Sequence, residues 1–156
     1  MKKLILFFAV AVMAIVTLTS CSNDEPKTND NTYVGTYKGS ETTIDEHYAM
    51  GEPERYEYTL IIRSDNTFTV IDTDITYDEE YRYDGTYVFI ESENTLYLTL
   101  KTESYYNWGE FEYSRPMEDN EGFYLKSNDN WKTLLARDVD DEDWEKTPLV
   151  KVSNKY

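Results

Sequence analysis

The run from Tyr56 to Leu100 constrains what this chain can fold into more than any other stretch. It reads Tyr56-Glu57-Tyr58-Thr59-Leu60-Ile61-Ile62-Arg63, breaks at Ser64-Asp65-Asn66, and resumes as Thr67-Phe68-Thr69-Val70-Ile71-Asp72. The unit recurs as Gly85-Thr86-Tyr87-Val88-Phe89-Ile90, a break at Ser92-Glu93-Asn94, and Leu96-Tyr97-Leu98-Thr99-Leu100. Short runs of β-branched and aromatic residues between Ser/Asp/Asn clusters are the pattern of antiparallel hairpins. Turn chemistry selects a register for the first hairpin. A two-residue loop at Asp65-Asn66 pairs Arg63 with Phe68 and Ile61 with Val70. A three-residue loop, Ser64 to Asn66, pairs Ile62 with Phe68 and Leu60 with Val70. The second collects Leu60, Ile62, Phe68 and Val70 on one face and leaves Thr59, Arg63, Thr67 and Thr69 on the other. A one-residue slip would turn each apolar set over. Such a loop ends in a left-handed residue, which Asn tolerates, so Asn66 is expected at positive φ.

Further strands are expected at Tyr33 to Gly39, from Tyr81 into the Gly85 strand, and at Glu110 to Arg115. Phe123 to Lys126 is expected to pair back after a turn at Glu118 to Gly122. Trp131 to Arg137 reads as a last full strand and Leu149 to Val152 as a short closing one. Asp72 to Glu80 reads as a strand end plus loop, Tyr105 to Gly109 as a loop, and Asp138 to Glu145 as a solvated acidic loop. No apolar period of a helix appears beyond the first residues. Many short strands joined by tight turns argue for a sandwich or a small barrel. Closure removes the exposed edges that strands this apolar would present. The expected fold is therefore all-β: a single small antiparallel up-and-down barrel of about eight strands. A barrel of that size holds packed side chains or one small ligand. Tyr37, Tyr58, Phe68, Tyr87, Phe89, Phe111 and Phe123 are the rings expected to decide which.

Ahead of the barrel, Lys2 and Lys3 precede an apolar run from Leu4 to Val16, then Leu18-Thr19-Ser20-Cys21. A basic start, a short apolar core and small residues form a secretory signal, and the run is shorter than a membrane-spanning helix needs. Leu18-Thr19-Ser20-Cys21 resembles the bacterial lipobox, which implies that Cys21 is lipidated and becomes the mature N-terminus. The organisation expected is a lipoprotein signal peptide at 1–20, a lipidated Cys and polar flexible linker at 21–32, and the barrel at 33–156. Asp24-Glu25 behind the lipidated position is similar to the export signal that carries Bacteroidetes lipoproteins to the outer face of the outer membrane. The implied localisation is the outer membrane, lipid-anchored and cell-surface exposed.

Composition then excludes several chemistries. Cys21 is the only cysteine, so the folded part is expected to have no disulfide, thiolate nucleophile or cysteine metal site. Removing residues 1–20 leaves 13 basic residues against 31 acidic ones, a net charge of −18. Such a surface offers no basic stripe for phosphates, so no nucleic-acid partner is expected. His47 is the lone histidine, too few for an imidazole metal site, and no nucleophile–base pair is advertised. With this many carboxylates a chance acid pair carries no information, because paired-acid catalysis depends on separation in space. Asp138-Val139-Asp140-Asp141-Glu142-Asp143 lacks the glycine and terminal glutamate of a calcium loop. No enzyme activity, metal or cofactor is expected.

Gly35-Thr36-Tyr37 at the start, the recurring Ser-Asp-Asn-Thr-Phe and Gly-Thr-Tyr strands, and Arg137 late in the chain carry a second resemblance. They are similar to the lipocalin-like lipoprotein domains of Bacteroidetes. In lipocalins the opening motif is Gly-x-Trp, and an Arg near the final strand packs across the Trp. The resemblance implies that Tyr37 takes the place of the Trp and Arg137 that of the Arg. The opening Gly-Thr-Tyr-x-Gly is also similar to copper-resistance envelope lipoproteins, but their Cys-x-x-Cys is absent here. The function implied is non-catalytic binding of a small hydrophobic or amphipathic ligand, with Tyr37, Tyr58 and Tyr87 as candidate contacts. Tyr105, Tyr106 and Trp108 suggest an alternative, a glycan-binding patch of exposed rings. A structural or accessory role at the outer membrane is the third reading.

Overall fold

The computed structural model describes residues 31–43, 53–118 and 121–155. The leader, Cys21, Asp24-Glu25 and His47 lie outside them. All described residues belong to one compact unit, Asn31–Tyr156. Its strands are β1 (Gly35–Thr43), β2 (Glu54–Ile62), β3 (Thr67–Asp74), β4 (Glu79–Ile90) and β5 (Thr95–Asn107). They continue with β6 (Glu110–Pro116), β7 (Gly122–Lys126), β8 (Thr133–Asp138) and β9 (Glu145–Ser153). Every pairing is antiparallel, and β9 returns to β1, so eight strands close into a barrel with β6 as an extra one.

The first hairpin has the register its turn chemistry predicts. Ile62 faces Phe68 and Leu60 faces Val70, and Asn66 ends the loop at φ 65°. Leu60, Ile62 and Phe68 are buried in the core. Thr69, on the outward face, is also buried. It is covered there by Arg63, which donates to its hydroxyl, and by Asp84, which accepts from it.

The stretch around Tyr105 departs from expectation. Tyr105, Tyr106 and Asn107 are strand, not loop. Only Trp108 and Gly109 turn, both at positive φ (52° and 74°). The reason is pairing on both edges: β4 runs beside β5 from Glu79 to Ile90, and β6 covers its far half. One bulge, with Lys101 as the extra residue opposite the Asp84/Gly85 step, keeps the inward set in phase.

Phe123 to Lys126 does not turn back on β6. β6 pairs with the far half of β5 and β7 with the near half, Thr95 to Thr99. Between them the Met117 N–H donates to Lys101 O and the Leu100 N–H to Glu121 O, each at 2.9 Å. Thus β6 and β7 are successive segments of one partner strand, and the meander persists. The closing strand is nine residues long rather than four.

The two ends of the barrel differ. Tyr33, Tyr87, Phe89 and Trp131 plug the end where the chain enters, with ring centroids 5.0–5.8 Å from Tyr33. At the other end the wall is uneven. β1 pairs with β9 only over Thr36 to Lys38, whereas it pairs with β2 as far as Thr43. The tall strands β1 to β6 therefore rise above the short β7 and β8, β9 parts from β1 beyond Lys38, and the barrel opens there.

Candidate functional site

Inward residues of the tall wall form transverse rows, because residues opposite one another in register share a face. The lowest row is Gly35, Ile62, Phe68, Gly85 and Leu100. Above it run Tyr37, Leu60, Val70, Tyr83, Glu103 and Arg115. Next come Gly39, Tyr58, Asp72, Tyr81, Tyr105 and Tyr113, and then Glu41, Tyr56, Asp74, Glu79, Asn107 and Glu110. Polarity thus rises in steps, from an apolar floor through a tyrosine row to an acidic lip.

A cavity of about 400 Å³ sits at this open end. Leu60, Val70, Phe123, Leu125, Ala136 and Leu149 supply its apolar lining. Its rim carries Glu41, Asp138, Asp141, Asp143 and Glu145 against Arg137 and Lys146, five carboxylates to two cations. An apolar pocket with a few convergent polar groups at a barrel mouth is the common form of a small-molecule site. The acidic run after β8 is exposed, and it borders this mouth.

Tyrosine hydroxyls in the mouth are committed to carboxylates. Tyr58 donates to Glu41 at 2.6 Å, Tyr56 to Glu54 at 2.7 Å, Tyr105 to Glu79 at 3.0 Å and Tyr113 to Glu103 at 3.1 Å. A phenol that donates to a carboxylate resists ionisation. Burial, then the bond to Glu41, pushes Tyr58 up, and the bond to Glu54 does so for Tyr56. Burial and Glu79 push Tyr105 up to about 12. These phenols are held neutral, so they present ring faces and spent hydroxyls rather than bases.

Glu103 and one oxygen of Asp72 are shielded from water, with opposite outcomes. Glu103 is 5% exposed and is held by a two-point bond from Arg115, at 3.0 and 3.2 Å, and by the Tyr113 hydroxyl. Asp72 lies between Tyr58 and Tyr81 in its row. Its Oδ1 is buried, and no donor among the described residues reaches it. Burial, with Glu41 and Asp74 nearby, raises its carboxyl above the ordinary range.

The residues singled out by sequence scatter. Tyr58 lines the cavity and Tyr105 lies in its row. Tyr37 is fully buried below, its hydroxyl donating to Tyr33 O at 2.8 Å. Tyr87 belongs to the plug at the closed end. The cation over Tyr37 is Lys151, at 5.6 Å, whereas Arg137 stacks on Tyr124 and Trp144 on the outside. Tyr105 and Tyr106 project to opposite faces: Tyr105 meets Tyr81 and Tyr113, Tyr106 meets Phe111 and Arg82. Trp108 is 74% exposed on its turn, and Phe111 lies outside the barrel rather than within it.

Asp72, Glu41, Tyr81 and Tyr113 were not visible as site residues in the sequence. One signal was available for Asp72: carrying the Leu60–Val70 pairing two residues up the hairpin sets Tyr58 opposite it. Among the described residues no group of His, Cys, Asp and Glu is placed to hold a metal ion. Compared with family models, curated proteins and solved structures, this chain matches none.

Proposed function

We propose that this protein is a lipid-anchored lipoprotein of the cell envelope whose barrel binds a small amphipathic ligand without transforming it. The observation that carries the binding reading is the cavity, about 400 Å³ with an apolar floor and a charged rim. An amphipathic molecule placed tail-down satisfies both, because burying its apolar part is favourable at about 25 cal/mol per Å². Support for the anchor is the leader and the Leu18-Thr19-Ser20-Cys21 motif. In the barrel, the phenols nearest the cavity are tied to carboxylates and held neutral, which suits contact rather than proton transfer.

The test is saturable binding of a neutral apolar fluorophore, N-phenyl-1-naphthylamine, to the full chain. Ala136→Trp places a bulky ring in the cavity, and it should abolish the fluorescence gain while leaving the melting transition cooperative. Undiminished binding by that variant would refute the cavity as the site. Labelled palmitate incorporated by the wild type and not by Cys21→Ser would support the anchor; equal labelling would remove it.

A glycan-binding reading keeps one observation. Trp108 is exposed on its turn, beside the neighbouring hairpin tip that carries exposed Ile75 and Tyr77, and its N–H donates to Asp78 O at 2.9 Å. Trp108→Ala should then lose retention on a glycan array, and a wild type that binds no glycan ends this reading.

A further inference from the structure

We infer that the ligand carries an organic cation, an amine or quaternary ammonium head, which docks on Asp72 between the rings of Tyr58 and Tyr81. This rests on the cavity reading above: Asp72 does not itself line the cavity but stands directly opposite Tyr58, which does. Four features of the structure support it. First, Asp72 occupies the middle of the tyrosine row, directly opposite Tyr58 on one side and Tyr81 on the other. Second, its Oδ1 is shielded from water and accepts no hydrogen bond from the described residues. A buried acceptor is normally satisfied, and the buried carboxylate of this wall, Glu103, is satisfied twice over by Arg115 and Tyr113. A donor brought by a ligand would complete Asp72 in the same way.

Third, two of the neighbouring phenols have already given up their hydrogens. Tyr58 gives its hydroxyl to Glu41 and Tyr105 gives its own to Glu79. They contribute ring faces instead, and aromatic faces attract cations. Tyr81 and Tyr105 hold their centroids 4.8 Å apart, and Tyr56 and Tyr58 stack with an interplanar angle of 14°. Fourth, the field has one sign. The rim sets five carboxylates against two cations. One of those cations, the Arg137 guanidinium, is already spread over Tyr124 and Trp144. An anionic head would meet repulsion from those carboxylates at the lip. The apolar floor at Leu60 and Val70 lies one row below Asp72, so a cationic head on Asp72 lets an alkyl or aryl tail drop into the cavity.

The experiment uses three amphiphiles with one tail: octyltrimethylammonium, octyl glucoside and octanoate. Each is titrated into the full chain at physiological salt, and affinity is read from the amide NMR shifts of Tyr58, Val70 and Ala136. The expected order is ammonium first, tighter than glucoside by about tenfold, with octanoate weakest. Asp72→Asn should bring the ammonium down to the glucoside's affinity and leave the glucoside unchanged. Glu91→Gln, an exposed charge in the turn between β4 and β5 at the closed end, should change neither. If Asp72→Asn does not fold, Tyr81→Leu serves in its place and should lower only the ammonium's affinity. Equal binding of all three probes overturns the cationic head and leaves the cavity reading intact. An equal loss in Glu91→Gln and Asp72→Asn also overturns it, because bulk charge would then explain the preference. Failure of octyl glucoside to shift Val70 or Ala136 removes the cavity reading, and this inference with it.

Discussion

Truncating leucines on the two sides of the cavity wall gives the sharpest test of whether the open end is hollow and wet. Leu60 is 1% exposed and lines the cavity, whereas Leu96 is equally buried and does not. Leu→Ala removes three carbons, and at about 0.8 kcal/mol each the transfer cost is about 2.4 kcal/mol at either site. At Leu96 the space left behind is closed, which adds about 24 cal/mol per Å³ and brings the total to about 4 kcal/mol. At Leu60 the new space joins a cavity that already exists, so little is added beyond the transfer cost. The expected difference is about 1.5 kcal/mol. With a urea m-value of about 1–3 kcal/mol/M, the Leu96→Ala midpoint should fall about 0.5–1.5 M below that of Leu60→Ala. Equal midpoints with unchanged m-values would refute the reasoning. The wall beneath Leu60 would then be as tightly filled as the core, and no ligand of the proposed size could enter.

Three further predictions concern the frame. Asn66 holds φ 65° at the end of the first hairpin loop; Asn66→Gly should leave the urea midpoint nearly unchanged, while Asn66→Val should cost about 1–2 kcal/mol. Gly85 faces Phe68, and a Cβ there would lie 2.1 Å from Thr99 O and 2.7 Å from the Phe68 ring. Gly85→Ala should therefore lose about 1–3 kcal/mol or more in a denaturant melt, and a neutral result would show that the bulge at this step gives way freely. Asp129 accepts from the Lys132 and Thr133 N–H groups and from the Ser127 and Thr133 hydroxyls, which holds its carboxyl down to about 2 from the ordinary 3.8. A depressed carboxyl contributes stability above 3.8 that is lost as the pH falls through 2. Asp129→Asn should therefore melt below the wild type at neutral pH, and the gap between the two should close in strong acid.

The inward rows explain why a protein this acidic can tolerate carboxylates on a sheet's inner face. Where the barrel is closed and dry, the row is Ile62, Phe68 and Leu100. As the short wall ends, water reaches the tall wall and the side chains become tyrosine, aspartate and glutamate. Glu103 is the exception at depth, and β6 brings Arg115 and Tyr113 to it. The extra strand therefore does more than lengthen the wall: it neutralises a carboxylate that burial alone would penalise.

Local chemistry was legible in the sequence. Period-two alternation marked the strands of the first hairpin, though not the second, where Tyr87-Val88-Phe89-Ile90 is apolar on both faces. The Ser-Asp-Asn loop selected the Leu60–Val70 register because only one offset buries both apolar sets. The all-β barrel followed from the same pattern. The limits of β5 were not legible, since Lys101 to Asn107 is polar and becomes strand only because β4 and β6 flank it. Nor was the failure of Tyr105, Tyr106 and Trp108 to share a face, which depends on that strand continuing through them.

The sequence by itself thus determined what neighbours do within a few residues of a turn: strand, loop conformation and which side chains alternate inward. Only the tertiary structure decided where the barrel closes and where it opens. That choice rests on a pairing between Thr36 and Ser153 that stops at Lys38 and Val150, and on a stagger summed over all the strands between them. The Tyr58–Asp72–Tyr81 row is likewise a product of successive registers across separate strands. Hairpin chemistry is local and readable, whereas closure joins chain ends more than a hundred residues apart, where no short-range preference reaches.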